Sequence, residues 1–204
     1  MARRSEHSLE QIKTMVLEAA EAIVIEDGFA ALKVRKIALE IGYTVGSIYM
    51  VFTNMADLIM HVKSRTLDEL ADQLDEQMPE CSAQEKILEL AKSYLQFANE
   101  NYNLWSMIFE HRLPDHEKTP DWYQAKIDQA FVKVEKLLRQ LAAEPDQSDV
   151  QSAARALWSG VHGVCVLSLT GTLDAVAVKK VENNIVLLVE NFIRGWADAP
   201  KSSV

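Results

Sequence analysis

The sequence predicts an all-α chain of about nine helices, an N-terminal three-helix helix-turn-helix domain followed by a larger helical domain. Three observations carry that prediction. The 204 residues include only 7 Gly and 5 Pro, and so few breakers favour long helices over many short strands. Apolar residues recur at three- and four-residue spacing, with no convincing alternating run. Helix-start signatures precede several of these periodic segments. With 49% apolar and 25% charged residues, the chain has the balance of an ordinary globular protein.

Taken in order, Ser8 and Gln11 form a capping box ahead of Ile12, Met15, Val16, Ala19, Ala20 and Ile23, and Gly28 supplies the stop. A short segment from Val34 to Ile41 ends at Gly42, and a second runs from Val45 to Phe52. Asn54 caps a long helix predicted to extend to Met78, before Pro79. Ser82 and Glu85 repeat the capping box and open a helix through Ile87, Leu90, Tyr94 and Ala98. A shorter helix covers Leu104–Phe109, and Thr119 with Pro120 as first helical residue opens the next, through Ala130, Val134 and Leu141. Two more helices are expected at about 149–169 and 175–197, divided at Thr170–Gly171. No repeat or low-complexity segment interrupts the series.

The net charge of −9 is unevenly placed: residues 1–65 hold eight basic and eight acidic residues, so the whole excess lies in 66–204. An acidic C-terminal part repels phosphate without excluding a local basic patch in the N-terminal part. The two cysteines, Cys81 and Cys165, stand apart in helical patterns. With no CxxC, no charged-then-apolar leader and no apolar run long enough to span a bilayer, a cytoplasmic protein without a membrane segment is expected.

The run Ile37-Ala38-Leu39-Glu40-Ile41-Gly42-Tyr43-Thr44-Val45-Gly46-Ser47-Ile48-Tyr49 has helix-turn-helix spacing. Ala38 is small enough for a close helix crossing, and Gly42 can take the left-handed turn conformation. Ile41, Val45 and Ile48 can bury together, while Thr44 is a good N-cap for the second helix. Together with Gly28-Phe29, Val34-Arg35-Lys36, Phe52 and Asp57-Leu58, these residues resemble the TetR family of repressors, and the resemblance extends over essentially the full length. It implies that Thr44 and Tyr49 bond to phosphates, while Val45, Gly46, Ser47 and Met50 face the major groove.

Three positions depart from the family pattern. Lys33 stands where a Ser or Thr usually caps the second helix, Val51 replaces a polar or aromatic residue, and Met55 replaces a phosphate-binding Lys. Lys33, Arg35 and Lys36 are then the expected phosphate contacts beside the motif. The reading helix offers no Arg, Asn or Gln for bidentate base contacts, which leaves Ser47, thymine-methyl contacts and DNA shape. Arg3 and Arg4 fit either a minor-groove arm or a solvated tail.

In the C-terminal part, Leu157-Trp158-Ser159-Gly160-Val161-His162-Gly163 resembles a Trp–His–Gly motif of one TetR subgroup. Trp158, His162 and Cys165 fall on one helical face, and Gly163 permits close approach of a neighbouring helix or ligand. Tyr94, Trp105, Phe109 and Trp122, with Trp158 and His162, are the candidate lining of a site for a small apolar or amphipathic effector. Core packing is the competing reading for each aromatic, and a satisfied core histidine for His162. Glu110, His111, Asp115, His116 and Glu117 match no common metal spacing and read as a solvated loop. Neither a metal nor a cofactor is expected.

The last two helices carry broad apolar faces: Ala153, Leu157, Val161, Val164 and Leu169 on one, and Val181, Ile185, Leu188, Phe192 and Trp196 on the other. With the family resemblance, the excess points to a four-helix homodimer interface. The expected organisation is a DNA-binding domain at 1–53 and a ligand-binding and dimerisation domain at 54–204. The expected function is that of a dimeric repressor on a palindromic double-stranded DNA operator, controlled by an effector that shifts the long helix after Asn54. Two alternatives stand beside it: a ligand-binding dimer without sequence-specific DNA binding, and an all-α enzyme. For the latter the sequence offers no Gly-rich phosphate loop, paired-carboxylate motif or credible nucleophile with a base, and hence no catalytic residue.

Overall fold

The computed structural model describes residues 7–76, 81–113, 118–143, 145–171 and 180–198. Among them are nine α-helices and one 3-10 turn, and no strand. The helices are α1 Leu9–Asp27, α2 Val34–Glu40, α3 Val45–Ile48, α4 Met55–Glu76, α5 Ala83–Glu100, α6 Tyr102–Glu110, α7 Asp121–Leu141, α8 Gln147–Leu169 and α9 Val181–Ala197.

Their ends follow local chemistry. Ser8 accepts from the Gln11 N–H at 3.2 Å while its own N–H donates to the Gln11 side chain at 2.8 Å, which satisfies two orphan donors at the start of α1. Gly28 closes α1 at φ +78°, where a side chain would be strained. Asn54 Oδ1 accepts the Asp57 N–H at 2.8 Å, and Asp57 returns the favour by accepting the Thr53 N–H at 2.8 Å. Ser82 and Glu85 make the same reciprocal pair ahead of α5, at 3.3 and 2.9 Å.

Several boundaries differ from the sequence expectation. The helical part of α3 is a single turn, and 49–51 continue as turns rather than helix. Pro120 lies just outside α7, its carbonyl accepting the Tyr123 N–H at 2.9 Å. Cys81 precedes α5 instead of lying within a helix. The stretches expected to carry α4 to Met78 and to start the last helix at Ala175 lie outside the described residues, as do Arg3, Arg4, Asp115, His116 and Glu117.

The chain forms two compact units, residues 1–68 with 101–123, and 69–100 with 124–204. In the first, α1 packs on α2, α3 and α6. Its core holds Val16, Ala20, Ile23 and Val24 of α1 with Ile37, Ile48, Phe52, Leu58, Leu104 and Met107, all nearly or fully buried. Each large apolar side chain buried in this way contributes about 1.5–3 kcal/mol, offset by the ordering of the chain. Asn103 of α6 donates to the Ile25 carbonyl at 2.9 Å, and Arg65 of α4 pairs with Glu21 of α1 at 2.7 Å.

In the second unit α5, α8 and α9 pack on one another. The buried stripe of α9 is Ile185, Val189 and Ile193, at four-residue spacing. Of the face expected from sequence only Ile185 lies on it; Val181, Leu188, Phe192 and Trp196 are half-buried. Trp196 Nε1 donates to the Leu138 carbonyl of α7 at 3.0 Å. The close approach of α8 to α9 falls at Gly160, where a Cβ would lie 3.0 Å from Leu188 Cδ2. At Gly163, where the sequence suggested it, a Cβ would meet nothing within 4 Å. No described helix is long and apolar enough to cross a membrane.

Candidate nucleic-acid interface and effector cluster

The α2–α3 pair is set by its turn. Gly42 takes φ +69°, which bends the chain sharply after Ile41. The Tyr43 N–H then reaches the Ala38 carbonyl at 3.0 Å and the Gly42 N–H the Leu39 carbonyl at 3.2 Å, which closes the end of α2. Ala38 is buried at the crossing, with Ile37 and Ile48 fully enclosed. Ile41 and Val45 are half-buried against the same core.

With those side chains inside, the opposite side presents Lys33, Arg35, Thr44, Gly46, Tyr49 and Met50 to solvent. Tyr49 is 43% and Met50 67% exposed. Lys33 and Arg35 make no ion pair among the described residues, so both charges are available to an anion. Lys36, also expected to contact phosphate, is instead paired with Asp27 at the end of α1. Lys33 is the N-cap of α2 without a side-chain hydrogen bond, as expected from the replaced Ser or Thr.

Ser47 and Val45 are placed less freely than the sequence suggested. Thr44 Oγ1 accepts the Ser47 N–H at 3.2 Å and lies 3.0 Å from Ser47 Oγ, so the serine hydroxyl is turned toward the cap. Val45 is partly committed to the core, and so is Met55. Met55 therefore has a packing role at the position where the family pattern has a cation.

The six effector candidates divide between the units. In the first, Trp105 is buried with Phe109 edge-on at 5.5 Å, and Trp122 stacks on His61 at 4.9 Å. His61 also meets Phe52, the residue that follows the reading segment, at 5.6 Å and lies 3.6 Å from Asp57. Burial, then the charge of Lys13, lower the His61 pKa against the opposing pull of Asp57.

In the second unit three candidates meet. Tyr94 Oη lies 2.9 Å from His162 Nδ1, and Trp158 stacks on the imidazole at 5.0 Å. Phe131 stands edge-on to Trp158 at 5.8 Å, and the Arg155 guanidinium lies 4.8 Å over Phe131. Arg155 is held by Asp128 and Glu135 at 3.0 and 3.2 Å. Burial lowers the His162 pKa, which favours the neutral ring near pH 7. Either Tyr94 Oη or His162 Nδ1 can donate in this contact, according to which ring nitrogen carries the proton. Burial pushes the Cys165 thiol up to about 12, so it packs as an inert side chain.

The sequence reading passed over a buried polar group in the first unit. Ile59, Val62, Lys63 and Thr66 share the inward stripe of α4, and Lys63 is only 5% exposed. Its Nζ donates to the His111 carbonyl at 3.4 Å and lies 5.4 Å from the Tyr123 ring centre. The signal was a lysine on an apolar helical row.

Comparison with known proteins gives two domain matches. Residues 16–62 match the model described as bacterial regulatory proteins, tetR family, and residues 87–190, half of the chain, match the tetracyclin repressor-like C-terminal domain. An uncharacterized HTH-type transcriptional regulator, Rv0681 of Mycobacterium tuberculosis, is 25% identical over 172 residues, covering 84% of this chain and 77% of that protein. BioQ, solved with its double-stranded DNA operator, shares the fold at TM-score 0.65 and 19% identity, covering 89% of this chain and 98% of BioQ. FadR of Bacillus subtilis, solved with stearoyl-CoA, shares it at TM-score 0.59 and 17% identity, covering 92% of this chain and 98% of FadR. An N-terminal helix-turn-helix and a C-terminal helical domain, each matched over its own segment, place the chain in the TetR family of transcription regulators.

Proposed function

We propose that the chain works as a homodimeric repressor that binds a palindromic double-stranded operator and is controlled by a small apolar or amphipathic effector. The observation that carries this reading is the outward face of α2–α3. Lys33, Arg35, Thr44 and Tyr49 are exposed there, while Ile37 and Ile48 anchor the pair from within. On this reading Lys33, Arg35, Thr44 and Tyr49 hold phosphates, and Gly46, Met50 and the flanks of Val45 and Ser47 meet the major groove. Long polar readers are missing, so selectivity comes from thymine-methyl contact and DNA shape. BioQ, of the same fold, was solved on its operator, which supports the assignment.

Effector control rests on the Tyr94–His162–Trp158 cluster, which offers a stacking surface and a polar imidazole edge. FadR, with the same fold and a bound acyl-CoA, supports a hydrophobic ligand. Residues 1–53 then serve as the DNA-binding domain and 54–204 as the effector and dimerisation domain. Leu167 of α8, 44% exposed, and Leu187 of α9, 62% exposed, are large apolar side chains that a second copy would cover. The test is binding of the protein to DNA upstream of its own gene at two salt concentrations. Tight, salt-sensitive and sequence-selective binding is expected; no binding at low salt would refute the reading.

A further inference from the structure

We propose that Lys63 is the receptor for the carboxylate of a small apolar acid bound within the first unit. A lysine is almost never fully buried unless paired, because its charge loses hydration that only an anion or several acceptors replace. Lys63 is 5% exposed, yet no carboxylate among the described residues lies within ion-pairing distance. Its ammonium has three donors, of which one reaches the His111 carbonyl at a long 3.4 Å. The Tyr123 ring, 5.4 Å away, stabilises positive charge but accepts no conventional hydrogen bond.

The surroundings choose among anions. Ile59, Met60 and Val62 beside Lys63 on α4 are buried, and so is Tyr123. Ile59 and Val62 belong to the apolar core of the unit, and surroundings of this kind favour an acid whose remaining body is apolar. A single ammonium balances the single charge of a carboxylate; a phosphate would bring a second charge, and among the described residues no second cation is recorded beside Lys63 to neutralise it. Burial alone accounts for the fall of the Lys63 pKa to about 8, in keeping with a cation that lacks its counter-charge. The position has a regulatory consequence, which rests on the reading of effector control above. Lys63 lies on α4, whose first turn is tied to the residues after α3 through Asn54, Thr53 and Asp57.

The experiment measures binding of decanoate and phenylacetate to the full chain by calorimetry, with their methyl esters as neutral controls, for wild type and for Lys63→Met and Lys63→Gln. Circular dichroism checks that both variants fold. A charge-assisted contact predicts that the acids bind roughly 10–100-fold more tightly than the esters, and that both variants abolish this preference. Equal binding of acid and ester, an unchanged acid preference in the folded variants, or no binding of either acid would overturn the proposal. Operator release is recorded separately. Acid binding at Lys63 without release would leave this site standing and remove its role in effector control.

Discussion

Replacing Lys63 by Met should stabilise the protein at neutral pH, and by an amount that shrinks as the solution is made alkaline. Folding moves the amine from an ordinary value of 10.5 to about 8. At about 1.4 kcal/mol for each tenfold change, keeping it charged at pH 7 costs the native state about 3 kcal/mol. The hydrogen bond to His111 and the Tyr123 ring return about 1–2 kcal/mol of that, and Met forfeits both. Met has a similar volume and is indifferent to burial, so the net gain expected at pH 7 is about 1–2 kcal/mol. The sign with pH follows from the direction of the fall. Between about 8 and 10.5 the unfolded chain holds a proton that the native state has released, so wild-type stability rises with pH across that window. Below it the cost is paid in full. The variant has no such group, and its advantage should decrease by about 2 kcal/mol between about pH 7 and pH 9.5. Urea unfolding followed by circular dichroism, at one fixed protein concentration, reads the difference directly. Titrations common to both chains cancel in it. A variant less stable at pH 7, or an offset that does not change with pH, would refute the argument.

Arg35→Ala and Tyr49→Phe should weaken operator binding alike on all sequences, and Arg35→Ala should lower the salt slope by about one ion. An unchanged slope in anisotropy titrations removes Arg35 from the interface. Lys33→Thr restores a hydroxyl cap to α2 and should raise stability by about 0.5–1 kcal/mol while weakening DNA binding, so melting and anisotropy will move in opposite directions. At Gly42, where a Cβ meets nothing but φ is +69°, Gly42→Ala should cost about 1–2 kcal/mol in thermal unfolding. Tyr94→Phe removes the contact to His162 Nδ1 and should alter affinity for an effector while leaving the effector-free protein's operator affinity unchanged; equal losses in both would assign Tyr94 a structural role only.

Much of the fold was legible because its determinants are local. The Ser8–Gln11 and Ser82–Glu85 boxes, the Asn54 cap and the glycine stop at Gly28 act within four residues of where they stand, and each is found as expected. The helix-turn-helix was equally readable, since Ala38, Gly42 and Ile48 serve packing and turn geometry at short range. The turn at Gly42 and the missing cap at Lys33 are both present. Helical spacing by itself specifies less. It credited Gly163 with the helix approach that belongs to Gly160, and gave α9 a face on which Ile185 alone is fully buried.

What a sequence by itself determines here is therefore the series of helices, their caps and the α2–α3 turn, each of which is specified by contacts within about one or two helical turns. Packing decided which side chains remain available. Asp27 takes Lys36 from the outward face, Thr44 draws in the Ser47 hydroxyl, and the core claims Met55. Packing also joined Tyr94 to His162, 68 positions apart, and closed α6 and the start of α7 over Lys63. Such partners are far apart in the chain, so neither residue type nor periodicity announces them. The cost of burying a charge depends on what surrounds it, and only the folded chain supplies those surroundings.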